Sequence, residues 1–367
     1  MLYNWQQSDW RNFSYNLQEF EAQLLHFAEH IGKISGAMRA LPEQSRLDIS
    51  ISSMVIEAVK TSEIEGEYVG RQDVVSSIRN NLGLDTELKN VRDKRASGVS
   101  ELMLDVSNSF AEPLSIEKLF SWHRMLMKGN TVINAGVWRT HSEPMQVISG
   151  AMGREKVHFE APPSNRVPEE MEMFVKWFND TSPTGSSPIR HAPVRAAIAH
   201  LYFETIHPFE DGNGRIGRAI AEKVISQNAG TPIPLSLSGS IEANKKEYYQ
   251  ALESAQRSNT ITDWIGYFLT MILDAQERAE QLIEFALKKA QFFDRFQNQM
   301  NQRQLKVVRR MLENGPEPFE GGMNARKYVG ITGASKATAT RDLQDLRDKQ
   351  IFLTVGGGRS TRYQVNI

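Results

Sequence analysis

Residues 207–218, with the sequence HPFEDGNGRIGR, constrain the fold of this chain more than any other segment. The apolar run before them predicts a helix over 190–206. Pro208 disfavours the helical conformation in the residue that precedes it, so this helix has to end near His207, which we expect on a loop. The glycine-rich turn that follows predicts the start of a second helix, over about 215–227.

The start of this second helix suits an anion. A glycine-rich turn at a helix N-terminus directs bare backbone N–H groups and the positive end of the helix dipole at one point. Gly212 and Gly214 lack the Cβ atoms that would keep a phosphate from the backbone, and Asn213 adds an amide donor. Arg215 and Arg218 lie three residues apart, hence on neighbouring helix surface, and can both donate to phosphate oxygens.

Two further side chains indicate nucleotide chemistry. The ordinary pKa of histidine lets it accept a hydroxyl proton near neutral pH, so His207 is a candidate general base. Asp211 supplies a hard oxygen ligand beside the anion site, and Mg²⁺ is typically held by one or two carboxylates together with substrate phosphates. A surface turn with solvated arginines would explain any short piece of the segment, but the whole string favours a site.

The string resembles the Fic-domain motif, His-x-Phe-x-(Asp/Glu)-Gly-Asn-Gly-Arg-x-x-Arg, at every defined position. The resemblance implies a mainly α fold, with a Fic-type helical catalytic domain and a β-hairpin flap. It also implies a protein adenylyltransferase, which moves AMP from ATP to a Ser, Thr or Tyr hydroxyl of a target protein and releases pyrophosphate. ATP is then the substrate, and Mg²⁺ is the metal ion.

The same resemblance implies a role for each motif residue. His207 would deprotonate the target hydroxyl, Phe209 would anchor the loop in the core, and Asp211 would hold Mg²⁺ between the α- and β-phosphates. The residues with an implied phosphate role are Gly212, Asn213 and Gly214 at the α-phosphate, and Arg215 and Arg218 at the β- and γ-phosphates.

Residues 136–163 predict a hairpin, with strands at 137–138, 146–148 and 157–159 and a glycine-rich turn at 149–153. In Fic proteins this region is the flap, which binds the target segment as an additional strand. The flap edge is assigned to Val157, His158, Phe159 and Glu160. From the local pattern alone, an ordinary surface hairpin is an equal alternative.

Residues 244–256 resemble the family helix that lies beside the nucleoside. Tyr248 and Gln256 are expected to face the base, and Tyr249 is the alternative to Tyr248. Aromatic residues at helical spacing are also typical of a hydrophobic core.

A second motif lies upstream, at 61–66. Its sequence TSEIEG fits (Ser/Thr)-x-x-x-Glu-(Gly/Asn), which marks an autoinhibitory helix in Fic proteins. The pattern predicts a helix over 45–65 that Gly66 closes, which places Glu65 in the last turn, where the helix dipole disfavours a carboxylate. The resemblance implies that Glu65 pairs with Arg218 and withholds it from the γ-phosphate. A solvated acid is the alternative for this short pattern alone.

Length and composition allow several domains. The chain has 367 residues, of which 40% are hydrophobic, and it contains no cysteine, which excludes disulfides, thiolate catalysis and cysteine-bound zinc. No signal-peptide pattern or stretch of ~20 apolar residues is present, so we expect a cytoplasmic protein with no membrane partner. The predicted division is a helical accessory region with the inhibitory helix at 1–95, a Fic catalytic domain at 96–290 and a winged helix at 301–367.

Residues 301–367 predict three helices and a hairpin, at 305–312, 325–329, 335–349, 351–355 and 362–365. This layout is typical of DNA-binding winged helices. The segment has twelve Lys and Arg against six acids, a net charge of +6, so with −1 overall the remainder carries −7, which favours nucleic acid. Asp342, Asp345 and Asp348 on the third helix would repel phosphate, however, and winged helices also bind proteins. Both partners stay open.

Two functions of different classes therefore remain. The first is a self-inhibited protein adenylyltransferase. The second is a winged-helix DNA-binding regulator, in which the Fic domain senses nucleotide or removes AMP from a modified protein as a de-AMPylase. The intact base at His207 favours chemistry over sensing. The sequence leaves the oligomeric state open, and a homodimer is compatible with it.

Overall fold

A computed structural model describes residues 2–85, 87–149, 156–313, 315–357 and 361–367. The described chain is mainly helical, as predicted, with two short hairpins. Its helices and strands, in chain order, are α1 Glu21–Ala40, α2 Glu43–Ile64, α3 Arg71–Asn81, α4 Lys94–Asn108, α5 Ile116–Leu126, β1 Gln146–Ser149, β2 Lys156–Glu160, α6 Val167–Asp180, α7 Ala192–Ile206, α8 Asn213–Ala229, α9 Leu237–Ala243, α10 Lys245–Ala255, α11 Thr262–Phe296, α12 Gln302–Met311, α13 Ala325–Thr332, α14 Lys336–Asp348, β3 Phe352–Val355 and β4 Arg362–Val365.

The chain forms two compact units. The first contains the residues up to Gly36 together with Ser50–Ala279, and the second contains Ala37–Ile49 together with Glu280–Ile367. The first unit includes parts of both the expected accessory region and the expected catalytic region, so the division at 95 stays a prediction. No helix in the described ranges combines the length and the apolar character that a membrane span needs.

The centre of the first unit is the helix pair α7 and α8. Every residue of α7 is buried, which is the pattern of a helix enclosed on all sides, and α7 packs along α8. The helix begins at Ala192, two residues later than predicted, because His191 has an extended backbone and Pro193 suits the first turn. Helix α8 begins earlier than predicted, at Asn213, since Gly212 already caps it.

The flap hairpin is antiparallel, with an irregularity between Val147 and Ile148. The strand predicted at 137–138 was wrong. Trp138 packs against Phe209 instead, at 5.0 Å between ring centroids, and the N–H of Arg139 donates to the Pro208 carbonyl rather than to a strand. The glycine-rich turn predicted at 149–153 lies outside the described residues from 150 onward.

The second unit has a core of its own. Residues of α12, α13, α14 and β3 form it, together with Phe292 and Phe296 from the end of α11. The polar segment 288–301 is α-helical as far as Phe296 and contributes to this core. Strands β3 and β4 pair in antiparallel fashion, with Phe352 opposite Val365. The predicted turn between them includes residues 358–360, which lie outside the described part of the chain.

Candidate active site

His207 lies on a left-handed turn at the end of α7, with φ 50° and ψ 60°. This conformation is uncommon for residues other than glycine, so the surrounding structure has to stabilise it. Arg139 does so, because its Nε donates to the His207 carbonyl at 2.8 Å and its Nη2 donates to the Ile206 carbonyl at 3.2 Å. The sequence prediction that His207 leaves the helix is confirmed.

Arg139 also joins this turn to the segment that follows β2. Its Nη1 donates to Ser164 Oγ at 2.8 Å and its Nη2 to the Pro162 carbonyl at 2.5 Å. The side chain is buried, and burial lowers the pKa of Arg139 to about 10. Arg139 was not predicted from the sequence, because three of its four acceptors are backbone carbonyls, which no sequence pattern identifies.

The His207 imidazole is neutral at physiological pH. Burial, with a smaller contribution from the Arg139 charge, lowers the pKa of His207 to about 4. Nearby, burial raises the pKa of Glu204 to about 8, an effect that Arg218 opposes. Glu204 Oε2 lies 3.8 Å from His207 Nδ1, and neither His207 Nδ1 nor Glu204 Oε1 has a hydrogen-bond partner among the described residues. Glu204, unpredicted from sequence, is a protonated carboxyl beside the candidate base.

The loop before α8 has the geometry of an anion site. Gly212 adopts φ 80°, a left-handed conformation that favours glycine, and its N–H donates to Asp211 Oδ1 at 2.5 Å. Asn213 differs from the prediction. Its side chain accepts from Phe209 N at 2.9 Å and donates to Phe209 O at 2.8 Å, so its amide closes the loop. The backbone N–H groups in the first turn of α8, which lack helical acceptors, are the remaining anion donors.

Phe209 occupies the core position that the resemblance implies. Its side chain is fully buried and stacks on His123, with 4.1 Å between ring centroids. His123 accepts a hydrogen bond from Gly136 N at 2.9 Å, and burial lowers its pKa to about 4. His123, which was not predicted from the sequence, supports the loop as a neutral stacking partner of Phe209.

Glu65 and Arg218 form the predicted ion pair, with 2.8 Å between Oε1 and Nη2. Arg218 is 1% exposed and also donates to Thr61, from Nε to Oγ1 at 2.8 Å and from Nη2 to the carbonyl at 3.0 Å. Burial alone would lower the pKa of Arg218, but the Glu65 carboxylate raises it above its ordinary value. A Cβ atom at Gly214 would collide with Glu65 Oε1, so this glycine makes room for the carboxylate.

A second ion pair lies next to the first and was not predicted. Glu67 Oε2 lies 2.8 Å from Arg215 Nη1, while Arg215 Nη2 is 3.5 Å from Asp211 Oδ1. The upstream motif ends at Gly66, so the pattern gave no signal for Glu67. Both candidate phosphate arginines are therefore paired with acids from the segment after α2.

A cleft of about 670 Å³ contains the pair of Glu65 and Arg218 together with the candidate base. Glu65, His207, Gly214 and Arg218 line it, as do the three expected nucleoside residues. Those three residues differ in exposure. Tyr248 is buried and its hydroxyl lies 2.7 Å from His200 Nε2, Gln256 is buried with its Nε2 donating to Glu204 O at 3.4 Å, and Tyr249 is 37% exposed.

The flap edge is tied to the rest of the first unit. His158 Nδ1 lies 2.8 Å from Glu253 Oε2, and Arg257 donates to the His158 carbonyl at 3.0 Å. Trp5 donates to the Glu160 carbonyl at 2.7 Å. Phe159 is buried, whereas Val157 is 40% exposed. A target strand at this edge would share carbonyls that already accept one hydrogen bond each, which two lone pairs allow.

The metal-binding potential of the site rests on Asp211. No group of three or more His, Cys, Asp or Glu that could hold a metal occurs within the described ranges. Asp211 is 45% exposed at the start of α8, where anion donors converge. This arrangement fits Mg²⁺, which keeps several waters and commonly combines one protein carboxylate with substrate phosphates.

Comparison with known proteins agrees with this geometry. The Fic/DOC family matches residues 113–225. A Fido domain-containing protein of Dictyostelium discoideum is 35% identical over 116 residues, which cover 30% of this chain and 75% of the relative. The chain belongs to the Fic/DOC family. Residues 3–84 match a domain of unknown function, DUF4172, and residues 321–366 match the C-terminal domain of DIP2311-like transcriptional regulators.

Other Fic relatives match parts of the chain. The protein adenylyltransferase fic-1 of Caenorhabditis elegans is 30% identical over 144 residues, or 39% of this chain, and the match spans about a quarter of that relative, 24%. The crystal structure of a Fic family protein from Desulfovibrio desulfuricans G20 has a TM-score of 0.53 at 20% identity, covering 94% of this chain and 96% of that one. This Fic chain therefore shares the Fic fold.

Proposed function

We propose that this chain is a protein adenylyltransferase that transfers AMP from ATP to a Ser, Thr or Tyr hydroxyl of a target protein, and that Glu65 inhibits it. One observation carries the proposal. A neutral, partly buried His207 lies directly before the glycine-rich start of α8, in one cleft with Arg218 and Glu65. Relatives named protein adenylyltransferase support the same chemistry.

The proposed reaction balances as a substitution at phosphorus. His207 Nε2 takes the proton of the acceptor hydroxyl, and the oxygen forms a bond to the α-phosphorus. The bond between that phosphorus and the oxygen bridging to the β-phosphate breaks, and its electron pair leaves with pyrophosphate. Backbone N–H groups of α8 stabilise charge on the α-phosphate, while Arg215 and Arg218 bind the β- and γ-phosphates.

Mg²⁺, when bound with substrate, would neutralise charge between the α- and β-phosphates, and Asp211 is the residue that would hold it. Tyr248, Tyr249 and Gln256 are the proposed nucleoside contacts. Val157, His158, Phe159 and Glu160 form the proposed docking edge, in which Phe159 contributes backbone and the packing of the strand.

Inhibition follows from competition for Arg218. While the Glu65 carboxylate binds this guanidinium, the γ-phosphate lacks its partner and meets a negative charge in its place. ATP can then bind only with its α-phosphate out of line for attack. Release of Glu65 would restore the productive pose.

Labelling with ATP tests the proposed activity. The purified Glu65→Gly variant, which lacks the proposed inhibition, and a host lysate are incubated with ATP labelled at the α- or the γ-phosphate, and proteins are separated by electrophoresis. We expect label on protein from the α-position alone, and none with His207→Ala, which should still bind ATP. Protein labelled from the γ-position, or equal α-label with His207→Ala, would rule out this assignment.

A second candidate function concerns the second unit. We propose that α14 contacts DNA, because all three acids that would repel phosphate are paired with cations of the same unit, Asp348 with Arg347 at 2.7 Å. Asp342 is bound by Arg303 at 3.0 Å and by the Tyr328 hydroxyl at 2.8 Å, and Asp345 is bound by Lys349 at 2.6 Å. The exposed residues in the first part of the helix are neutral or basic: Lys336, Ala337, Thr340, Arg341 and Gln344. Arg359, also counted in the basic charge, lies outside the described residues.

A further inference from the structure

We infer that Glu67 is a second inhibitory carboxylate, which holds Arg215 away from the β-phosphate while Glu65 holds Arg218. This inference rests on the proposed nucleotide site. It extends the inhibition from one phosphate contact to two, and it assigns a function to a residue outside the sequence motif.

The turn after α2 explains how two acids reach one helix. Gly66 adopts φ 78°, and the N–H groups of Gly66 and Glu67 donate to Glu63 O at 3.0 Å and to Ser62 O at 2.9 Å. This is the hydrogen-bond pattern of a Schellman motif, in which glycine takes the left-handed position. Residues 65 and 67 thereby bind arginines that lie about one turn apart on α8.

Arg215 has the features of a ligand-binding side chain whose ligand is replaced by Glu67. It is 3% exposed, and its buried Nε has no hydrogen-bond partner in the described part of the chain. A guanidinium has five N–H donors in a planar fork, which matches phosphate oxygens. An unpaired buried donor is costly, so a residue kept only for packing would not be expected to leave one open.

Glu67, the acid that pairs with Arg215, can be displaced by a competing anion. The Glu67 side chain is 30% exposed, close to the 28% of Glu65, so water and a competing polyanion can both reach it. The nearby Glu63 differs, since it binds Lys60 at 2.7 Å and neither arginine. Glu63 is therefore a matched control on the same helix end.

Nucleotide affinity tests the inference without any need for turnover. Binding of ATP, ADP and AMP to the full chain is measured by calorimetry in the His207→Ala background. Glu67→Gln should raise the affinity for ATP and ADP by roughly two- to fivefold, the range for a partly exposed ion pair, and should leave AMP affinity unchanged, because AMP has no β-phosphate. Glu63→Gln should change none of the three affinities.

A second variant guards against misfolding. Glu67→Asp keeps the charge but shortens the side chain, so it should also raise ATP affinity, by a smaller factor. Melting temperatures of both variants identify any loss of fold. Unchanged ATP affinity in both folded variants, or equal rises for ATP and AMP, would overturn the inference.

Transfer of α-label separates this inference from the proposed function. If Glu65→Gly labels protein and Glu67→Gln changes neither labelling nor ATP affinity, the inference fails and the proposed function stands. If no variant labels protein but Glu67→Gln raises ATP affinity selectively, the proposed function fails and the inference stands.

Discussion

Thr61 binds the guanidinium of Arg218 through two acceptors, with its Oγ1 at 2.8 Å from Nε and its carbonyl at 3.0 Å from Nη2. The first position of the TSEIEG motif therefore has a direct physical role. Thr61 orients Arg218 toward Glu65, so Thr61 and Glu65 together bind the Arg218 side chain.

Thr61→Val should relieve inhibition in part. Valine keeps the shape of threonine but removes one hydrogen bond to a charged donor, worth ~1.5 kcal/mol, so AMP transfer should rise roughly tenfold. Initial rates of α-label transfer are the measurement. Ser62→Ala is the matched control, because within the described residues the Ser62 hydroxyl bonds only to the Ala58 carbonyl of its own helix, at 2.9 Å. Equal rates for Thr61→Val and wild type would contradict the role of Thr61.

Arg139→Gln should impair the candidate base. Loss of the four hydrogen bonds frees the left-handed His207 turn, and a misplaced general base lowers AMP transfer by roughly 100-fold. Loss of the charge should also raise the pKa of His207, which moves the acid limb of the rate profile to higher pH. Arg139→Lys keeps the charge, so it should lose rate with a smaller shift. Both variants are assayed as kcat/KM against pH in the Glu65→Gly background. An unshifted acid limb in Arg139→Gln would show that the Arg139 charge does not lower the pKa of His207.

Glu204 should make stability depend on pH. Burial raises its pKa from 4.5 to about 8, so between these values the folded state binds a proton that the unfolded state releases. The contribution of this proton to the free energy of unfolding is complete below pH 4.5. It is lost as the pH rises from there through 8, by at most roughly 1.4 kcal/mol per pH unit. Glu204→Gln removes this slope. Melting temperatures of the two proteins from pH 4 to 9 should therefore diverge in favour of the variant at high pH, and parallel curves would show that Glu204 is ionised in the folded chain.

Arg341→Ala tests the DNA proposal. If α14 contacts DNA, binding to duplex fragments should weaken steeply with salt, and loss of one phosphate contact should reduce the slope of log K against log salt by about 1. Arg310→Ala is the control, since Arg310 lies on α12 and pairs with Glu313. DNA binding that does not depend on salt concentration, or no DNA binding, would favour a protein partner for the second unit.

Local constraints made much of the site predictable. Pro208 ends α7 at His207, and the glycines at 212 and 66 adopt the left-handed conformations that the loop and the helix end need. The helical architecture and both hairpins follow the sequence patterns in the same way. Glu65 was found because a motif names it and because a carboxylate at a helix C-terminus needs a cation.

Contacts between distant segments explain what the sequence did not show. Arg139 binds carbonyls 23 and 68 positions away, and a carbonyl has no sequence signature. The pair of Glu67 and Arg215 depends on how the turn at Gly66 meets α8. Asn213 was assigned to phosphate because its amide is a donor, yet this amide bonds to the Phe209 backbone through both its oxygen and its nitrogen. The shifted pKa of Glu204 arises from burial, which one sequence does not reveal.

The most direct test of inhibition is the rate of α-label transfer by Glu65→Gly. Arg218 is buried, whereas the Glu65 carboxylate is 28% exposed. Loss of one partner should therefore change the free energy of the pair by ~3 kcal/mol, the lower end of the range for buried ion pairs. This energy corresponds to roughly a 100-fold increase in rate. The double variant Glu65→Gly with Arg218→Ala should return to low activity, because the released arginine is absent. His207→Ala gives the blank. We expect a rise of about two orders of magnitude in the single variant only. Labelling by Glu65→Gly no faster than by wild type would contradict inhibition by Glu65.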